Sequence, residues 1–280
     1  MPSRLVSANR CSDRPAPDSR TVLEFRNISF SFSGRRETID VLRNVSFTCR
    51  EDEIVAVIGP SGCGKSTLLS LATGLRKPSA GEVLIDGKVV KGADPRLGML
   101  FQQTTLLPWR SVEENVELGL EIRGEPKRVR RRRAIALVQQ YGLAGFERKY
   151  PHALSGGMQK RAALAQTLAI EPKVLLLDEP FAALDAQTRI IIQNDVVKIC
   201  RAGRRSMLIV THDIAEALAM ADRIVVLSRR PATVKELYEV PFSREAASVA
   251  DAPAMPGFAD DYKRIWNALD ISITGMGAAA

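Results

Sequence analysis

The sequence predicts an α/β fold: a mostly parallel sheet with helices on both faces, an antiparallel β section before it and a helical lobe inserted into it. Three observations carry that expectation. Apolar runs such as Glu53–Ile58 (EIVAVI), Val174–Leu177 and Leu208–Val210 recur along the chain, each followed by loop or polar residues and then a helical pattern. That alternation belongs to parallel sheets covered by their own crossover helices. Between Val22 and Cys49 the pattern instead alternates in short pieces, with Gly34 as a turn, which suggests antiparallel strands. Residues 104 to about 170 read mostly helical and interrupt the sheet as a lobe of their own.

The remaining elements follow in order. Glu53–Ile58 runs into a glycine loop, and Ser66–Leu75 continues as a helix. Strand-like pieces come next at Glu82–Ile85, Lys88–Val90 and Leu97–Phe101, with a tight turn at Asp86-Gly87. Ile224–Leu227 and Val234–Tyr238 read as terminal strands. Beyond Pro241 the chain is polar and Ala-rich, with one short helix expected around Tyr262–Leu269. The expected division is a leader over 1–20, a main domain over 21–240 carrying the helical insertion, and a tail over 241–280.

Composition narrows the class. A chain of 280 residues can bury a large core. No stretch approaches the ~20 apolar residues that span a bilayer. The first twenty residues are polar and rich in Pro, Ser and Arg. They lack the apolar block of a signal peptide, so they read as a disordered leader on a cytosolic protein. The cysteines at 11, 49, 63 and 200 have neither metal-ligand nor disulfide spacing, which fits a reducing compartment. With only His152 and His212 present, a histidine metal site is not expected.

The net charge is +8, and Arg128, Arg130, Arg131, Arg132 and Arg133 concentrate it. Three readings compete: a solvated helix face, contact with anionic lipid or an acidic partner, and a nucleic-acid patch. No aromatic residues interleave with the arginines, as single-strand readers require. The solvated face is the preferred reading.

Three segments carry chemistry. Gly59-Pro60-Ser61-Gly62-Cys63-Gly64-Lys65-Ser66-Thr67 fits the phosphate-loop pattern, with an apolar strand before it and a helix after. Its glycines let successive N–H groups face phosphates, and the helix adds a positive dipole end. Lys65 supplies a cation for the β- and γ-phosphates, and the Ser66 hydroxyl reaches Mg²⁺. The strand Val174–Leu177 ends in Asp178 and Glu179, where parallel sheets bind ligands. Asp178 would lie near Mg²⁺ through a water, and Glu179 could polarise the water that attacks the γ-phosphate. Leu154-Ser155-Gly156-Gly157-Met158-Gln159 opens a helix with Ser155 as N-cap, a second anion site that a close copy could offer to its mate's nucleotide.

Taken in this order, the segments resemble the nucleotide-binding subunit of an ABC transporter, of which the LSGGMQ string is the signature. The resemblance runs from about Val22 to Tyr238. It implies a P-loop NTPase (RecA-like) core with an antiparallel β subdomain and an inserted α-helical subdomain, an ATPase activity, and ATP and Mg²⁺ as cofactors. It also implies roles for single residues. Phe32 stacks on adenine, with Phe30 as the rival position. Gln102 is the Q-loop glutamine that touches Mg²⁺ and senses the transporter, with Gln103 adjacent. Asp185 is the D-loop aspartate that crosses a dimer interface, and His212 is the switch histidine on the γ-phosphate. His152 stays structural. Lys160 stands where the family often has Gln, Gln166 where Arg is common, and Ala182 where Ser or Gly is frequent. None of these departures removes a catalytic group.

The strings FQQTTLLPWRSVEENVELGL, DEPFAALDAQTR and THDIAEALAMADRIVVLSRRP are further similar to importer ATPases for nitrate, sulfonates and taurine. That likeness implies an importer for a small anionic solute and a peripheral position on the cytoplasmic face of the inner membrane. The implied partners are a membrane permease subunit, indirectly a periplasmic or extracellular solute-binding protein, and a second identical or related ATPase. Nucleic acid is not among them. The alternatives are a soluble ABC ATPase acting on nucleic acid or ribosomes, the ATPase of an exporter or another solute importer, and a small-molecule kinase. The first typically carries a coiled-coil insertion or a second cassette, and the kinase leaves LSGGMQ unexplained.

Overall fold

The computed structural model describes residues 20–34, 37–182 and 184–269, so the expected leader lies, apart from Arg20, outside the described residues. The chain opens with β1 (Thr21–Ser33), β2 (Thr38–Arg50), β3 (Ile54–Ile58) and α1 (Lys65–Ala72). There follow β4 (Ala80–Ile85), β5 (Lys88–Val89), β6 (Leu97–Leu100) and the helices α2 (Val112–Ile122), α3 (Lys127–Gln140) and α4 (Gly156–Ala169). Strand–helix alternation then resumes with β7 (Val174–Asp178), α5 (Ala186–Ala202), β8 (Ser206–Thr211), α6 (Ile214–Met220) and β9 (Arg223–Leu227). The described chain closes with β10 (Val234–Glu239) and α7 (Phe258–Ala268).

Two sheets result. A six-stranded sheet has the order β10-β9-β3-β8-β7-β6 and is parallel except for its edge strand β10. A four-stranded antiparallel sheet has the order β2-β1-β4-β5. The short strands expected before residue 50 are two long ones of 13 residues each. Bulges break their alternation, and Asn27 and Asn44 take positive φ values of 50° and 49° beside them. Asparagine tolerates that left-handed backbone better than most side chains.

The parallel sheet is buried on both faces by two different layers. From β3, Ile54, Ala56 and Ile58 face a core shared with α2 to α7, whereas Val55 and Val57 face a core shared with α1 and the antiparallel sheet. In β7, Leu175 and Leu177 take the first side and Val174 and Leu176 the second. Period-two alternation therefore sorts one apolar run into two cores. Helices on both faces were expected; on one face α1 shares the task with the antiparallel sheet.

Two regions differ from their expected character. The arginine block lies on α3, and three of its members are paired: Arg130 with Glu117 at 3.4 Å, Arg131 with Glu113 at 2.5 Å, and Arg133 with Glu125 and Glu171 at 3.1 and 2.6 Å. It is a helix–helix seam as well as a solvated face, because α2 presents glutamates on the side facing it. After Pro241 the chain packs into the helical-side core through Val249, Ala252, Phe258, Ile265 and Leu269. Its helix begins at Phe258, four residues before the expected start.

Asp222, ahead of β9, fastens that segment. It accepts from the Ile54 N–H at 2.8 Å, from both Arg201 nitrogens at 2.7 and 2.8 Å, from Ser243 Oγ at 3.0 Å and from Arg244 Nε at 3.1 Å. Burial pushes its carboxyl up, yet the Arg201 pair, the Ile54 N–H and Arg244 outweigh that, and the net shift is downward. A carboxylate held below its ordinary value stabilises the fold above that value and loses the contribution as pH falls. Asp222→Asn should cost about 3 kcal/mol at pH 7. The gap to the wild type in thermal melts should shrink below about pH 4.

Candidate functional site

The central strand β3 delivers the glycine loop. It lies between β8 and β9, is wholly buried, and ends at Ile58. The loop then threads tight surroundings. A Cβ on Gly59 would meet Cys63 Sγ at 2.9 Å, and one on Gly64, whose φ is +120°, would meet Val41 Cγ1 at 2.7 Å. Gly64 also precedes α1 with no side-chain cap, so the first N–H groups of that helix have no capping side-chain partner. Lys65 is buried, and its Nζ donates to the carbonyls of Gly59 at 2.8 Å and Pro60 at 3.2 Å. The loop is curled around its own cation.

Three adjacent strands bring the polar groups to the same edge. Gln102 follows β6, Asp178 ends β7 with Glu179 next, and His212 follows β8. Ser66 Oγ donates to Asp178 Oδ1 at 3.0 Å. Burial pushes the Asp178 carboxyl up, against the Ser66 bond that lowers it. Glu179 has a positive φ of 42°, while its N–H still donates to Val210 O at 2.9 Å. A left-handed glutamate is a strained backbone, the kind concentrated at working sites. Its Oε2 accepts from Gln102 Nε2 at 3.3 Å and lies 3.4 Å from His212 Nδ1. Gln102, rather than Gln103, makes the contact.

The turn carrying His212 is braced from below. The Asp213 N–H donates to Thr211 Oγ1 at 3.0 Å, and Asp213 caps α6 by accepting from the Glu216 N–H at 3.1 Å. The Glu216 side chain lies in a cavity of about 50 Å³ together with Glu179, Arg189 and His212. Burial pushes its carboxyl up to about 7, although Thr211 and Gln193 hydrogen bonds act the other way. The sequence alone does not single out Glu216, because an acid that meets Gln193 of α5 only in the fold leaves no local signal.

The other expected residues fall into two groups. Phe32 is 39% exposed, with the Arg76 guanidinium 4.9 Å from its ring, while Phe30 is buried and meets it edge-on. An available ring face therefore belongs to Phe32. Ser155 caps α4 by accepting from the Met158 N–H at 3.4 Å, and Asp185 caps α5 by accepting from the Thr188 N–H at 3.0 Å. A Cβ on Gly157 would lie 2.7 Å from Thr188 Cγ2, so these two helix starts adjoin, whereas the Gly156 position is open. Among the described residues no hydrogen bond joins Ser155, Gly156, Gly157 or Asp185 to the glycine loop. His152 stacks on Tyr150.

A parallel sheet that presents a glycine loop, a buried lysine, a serine–aspartate pair and a glutamate at one edge defines a P-loop nucleotide-binding protein. Residues 42–182 match the ABC transporter domain. An uncharacterized ABC transporter ATP-binding protein of Methanocaldococcus jannaschii is 48% identical over 215 residues, 77% of this chain and 80% of that protein. The taurine import ATP-binding protein TauB of Yersinia pestis is 44% identical over 206 residues, 74% of this chain and 81% of that one. Dimeric structures of the ATP-binding cassette MJ0796, one in a post-hydrolysis state bound to ADP and Pi, superpose with a TM-score of 0.70. They share 33% identity and cover 78% of this chain and 98% of the cassette. The chain belongs to the ABC transporter ATP-binding family, and it binds and hydrolyses ATP.

A carboxyl raised in the folded state favours folding below its unfolded value and loses that contribution as pH rises through the folded one. Wild-type stability should therefore decline between about pH 5 and 8 by a component that Glu216→Gln lacks. Thermal melts of both proteins across that range measure it.

Proposed function

We propose that this chain energises an importer for a small anionic solute such as nitrate, a sulfonate or taurine. The observation that carries the catalytic part is the meeting of Gln102 and His212 on one Glu179 oxygen, beside the Ser66–Asp178 pair. In this reading the exposed ring of Phe32 stacks on adenine. The backbone N–H groups of Gly59 to Thr67 cradle the phosphates, and Lys65 exchanges its loop carbonyls for the β- and γ-phosphate oxygens. Glu179 polarises the attacking water, and His212 contacts the γ-phosphate.

Ser66 and Asp178 supply hard oxygen donors at one spot, the chemistry that suits Mg²⁺, with Gln102 within reach of the same cluster. Bound magnesium would neutralise charge on the β- and γ-phosphates. The protein's part is to keep Asp178 and the Ser66 hydroxyl facing one another at the loop.

Ser155, Gly156, Gly157 and Asp185 enter from a second ATPase, either another copy or a related subunit. Their separation from the loop within one chain supports that arrangement, as does the dimeric form of MJ0796. The permease subunit docks around Gln102–Trp109, where Trp109 is 70% exposed. Import by way of an external solute-binding protein, and the solute class, rest on the taurine-import relatives and on the Leu107-Pro-Trp109 segment. A peripheral position on the cytoplasmic face accords with a chain in which no described helix is long and apolar enough to cross a membrane.

Glu179→Gln should keep ATP binding, stall turnover and accumulate a nucleotide-bound dimer; normal turnover would remove Glu179 as the base. Lys65→Ala should weaken both nucleotide binding and hydrolysis, and unchanged affinity would contradict its phosphate role. Purifying the intact membrane complex and identifying its bound solute tests the importer assignment. A complex without a permease subunit rejects it.

A further inference from the structure

Lys160, in the second turn of α4, is 6% exposed. Among the described residues no carboxylate lies within ion-pair distance of it. Its Nζ instead donates to the main-chain carbonyl of Gln102 and, at 3.3 Å, to that of Phe101. Burial lowers the lysine's pKa and nothing offsets it. A buried ammonium must have its hydrogens accepted, so these two carbonyls are what keep Lys160 where it is. Bonds to a charged donor are also about twice as strong as neutral ones. The neighbouring Gln159 reinforces the attachment, accepting from Thr104 Oγ1 at 3.3 Å while its amide donates to Pro151 and Leu154 carbonyls. The first turns of α4 thus hold the backbone of residues 101–104, and from that held backbone the Gln102 side chain reaches Glu179.

We propose that Lys160 is a positioning residue for hydrolysis: its ammonium fixes the backbone at Gln102 so that the Gln102 amide meets Glu179, and it carries movement of α4 to the hydrolytic centre. The proposal rests on the reading of Gln102 and Glu179 given above. It adds a part for a side chain that reaches the site only through the backbone at Gln102. Helix α4 is also the helix that Ser155 starts, so whatever engages the serine end moves the Lys160 end with it. A displacement of one rigid helix then reaches Glu179 through two hydrogen bonds and one glutamine.

The test is steady-state ATP hydrolysis by the full-length protein, comparing Lys160→Met, Lys160→Arg, Gln102→Ala and the Lys160→Met/Gln102→Ala double variant. Lys160→Met keeps an unbranched stem and removes the donors. It should lower kcat by about ten- to a hundredfold. KM for ATP should stay within about twofold, since the nucleotide's own contacts are untouched. Lys160→Arg should recover most of the rate. In the double variant the two losses should not multiply, because both act through one contact. Unchanged kcat in Lys160→Met, a rise in KM alone, or losses that multiply would each overturn the proposal.

Should Lys160→Met fail to fold, Lys160→Leu, which also removes the donors, enters the same cycle with the same criteria. Glu179→Gln separates the two levels. If it turns over normally, the reading of the site is wrong. If it stalls while the Lys160 and Gln102 losses multiply, only the positioning role fails.

Discussion

The six-stranded sheet is covered on both faces, and that constraint decides where everything else can be. A strand with solvent on one side reads as alternating polar and apolar residues, but β3 and β7 have no polar side chain until they end. Burying both faces removes water from two layers at once and leaves only strand ends accessible. The side chains of the candidate site therefore sit at the carboxyl ends of β3, β6, β7 and β8, at or a short loop beyond the last covered position. The bridge between Leu42 and Ala232 closes this frame beside the glycine loop, since Ala232 exchanges hydrogen bonds with Val41 and Arg43.

The two edges of the sheet treat charge differently. At the end opposite the glycine loop, Asp222 is enclosed by Arg201, Arg244 and Ser243, and buried Glu53 meets Arg223 at 3.0 Å. Burial pushes Glu53 up, and the neighbouring arginine only partly opposes it. Each of those carboxylates has an arginine partner. At the loop end, Glu179 receives one amide and one imidazole, and Asp178 receives one hydroxyl. Carboxylate oxygens there keep lone pairs for a ligand, which is the difference between a fastening and a site.

Local chemistry made much of this legible in the sequence. A glycine loop between an apolar run and a helix, and a strand ending in two acids, are short-range patterns, and the structure sets them side by side. Phe32 and Phe30 differ only in exposure, which the folded hairpin decides. The lengths of β1 and β2 were hidden because bulges near Asn27 and Asn44 interrupt the alternation that marks a strand. The tail's packing was hidden because Val249 and Ala252 lie in a stretch of Ala, Asp and Pro, and the apolar stripe through Phe258 and Ile265 of α7 does not say which surface it covers. The partners of Arg130, Arg131 and Arg133 lie on other elements, and Lys160 bonds carbonyls, which every residue carries. Contacts of that kind have no signature in composition or spacing.

The glycine loop carries an internal tether of its own. With Lys65 bonded to Gly59 and Pro60, the start of the helix is tied back to the residues that open the loop. In the reading proposed above, a phosphate competes with two carbonyls for that ammonium. On that reading, binding and release of nucleotide are an exchange of acceptors around one side chain.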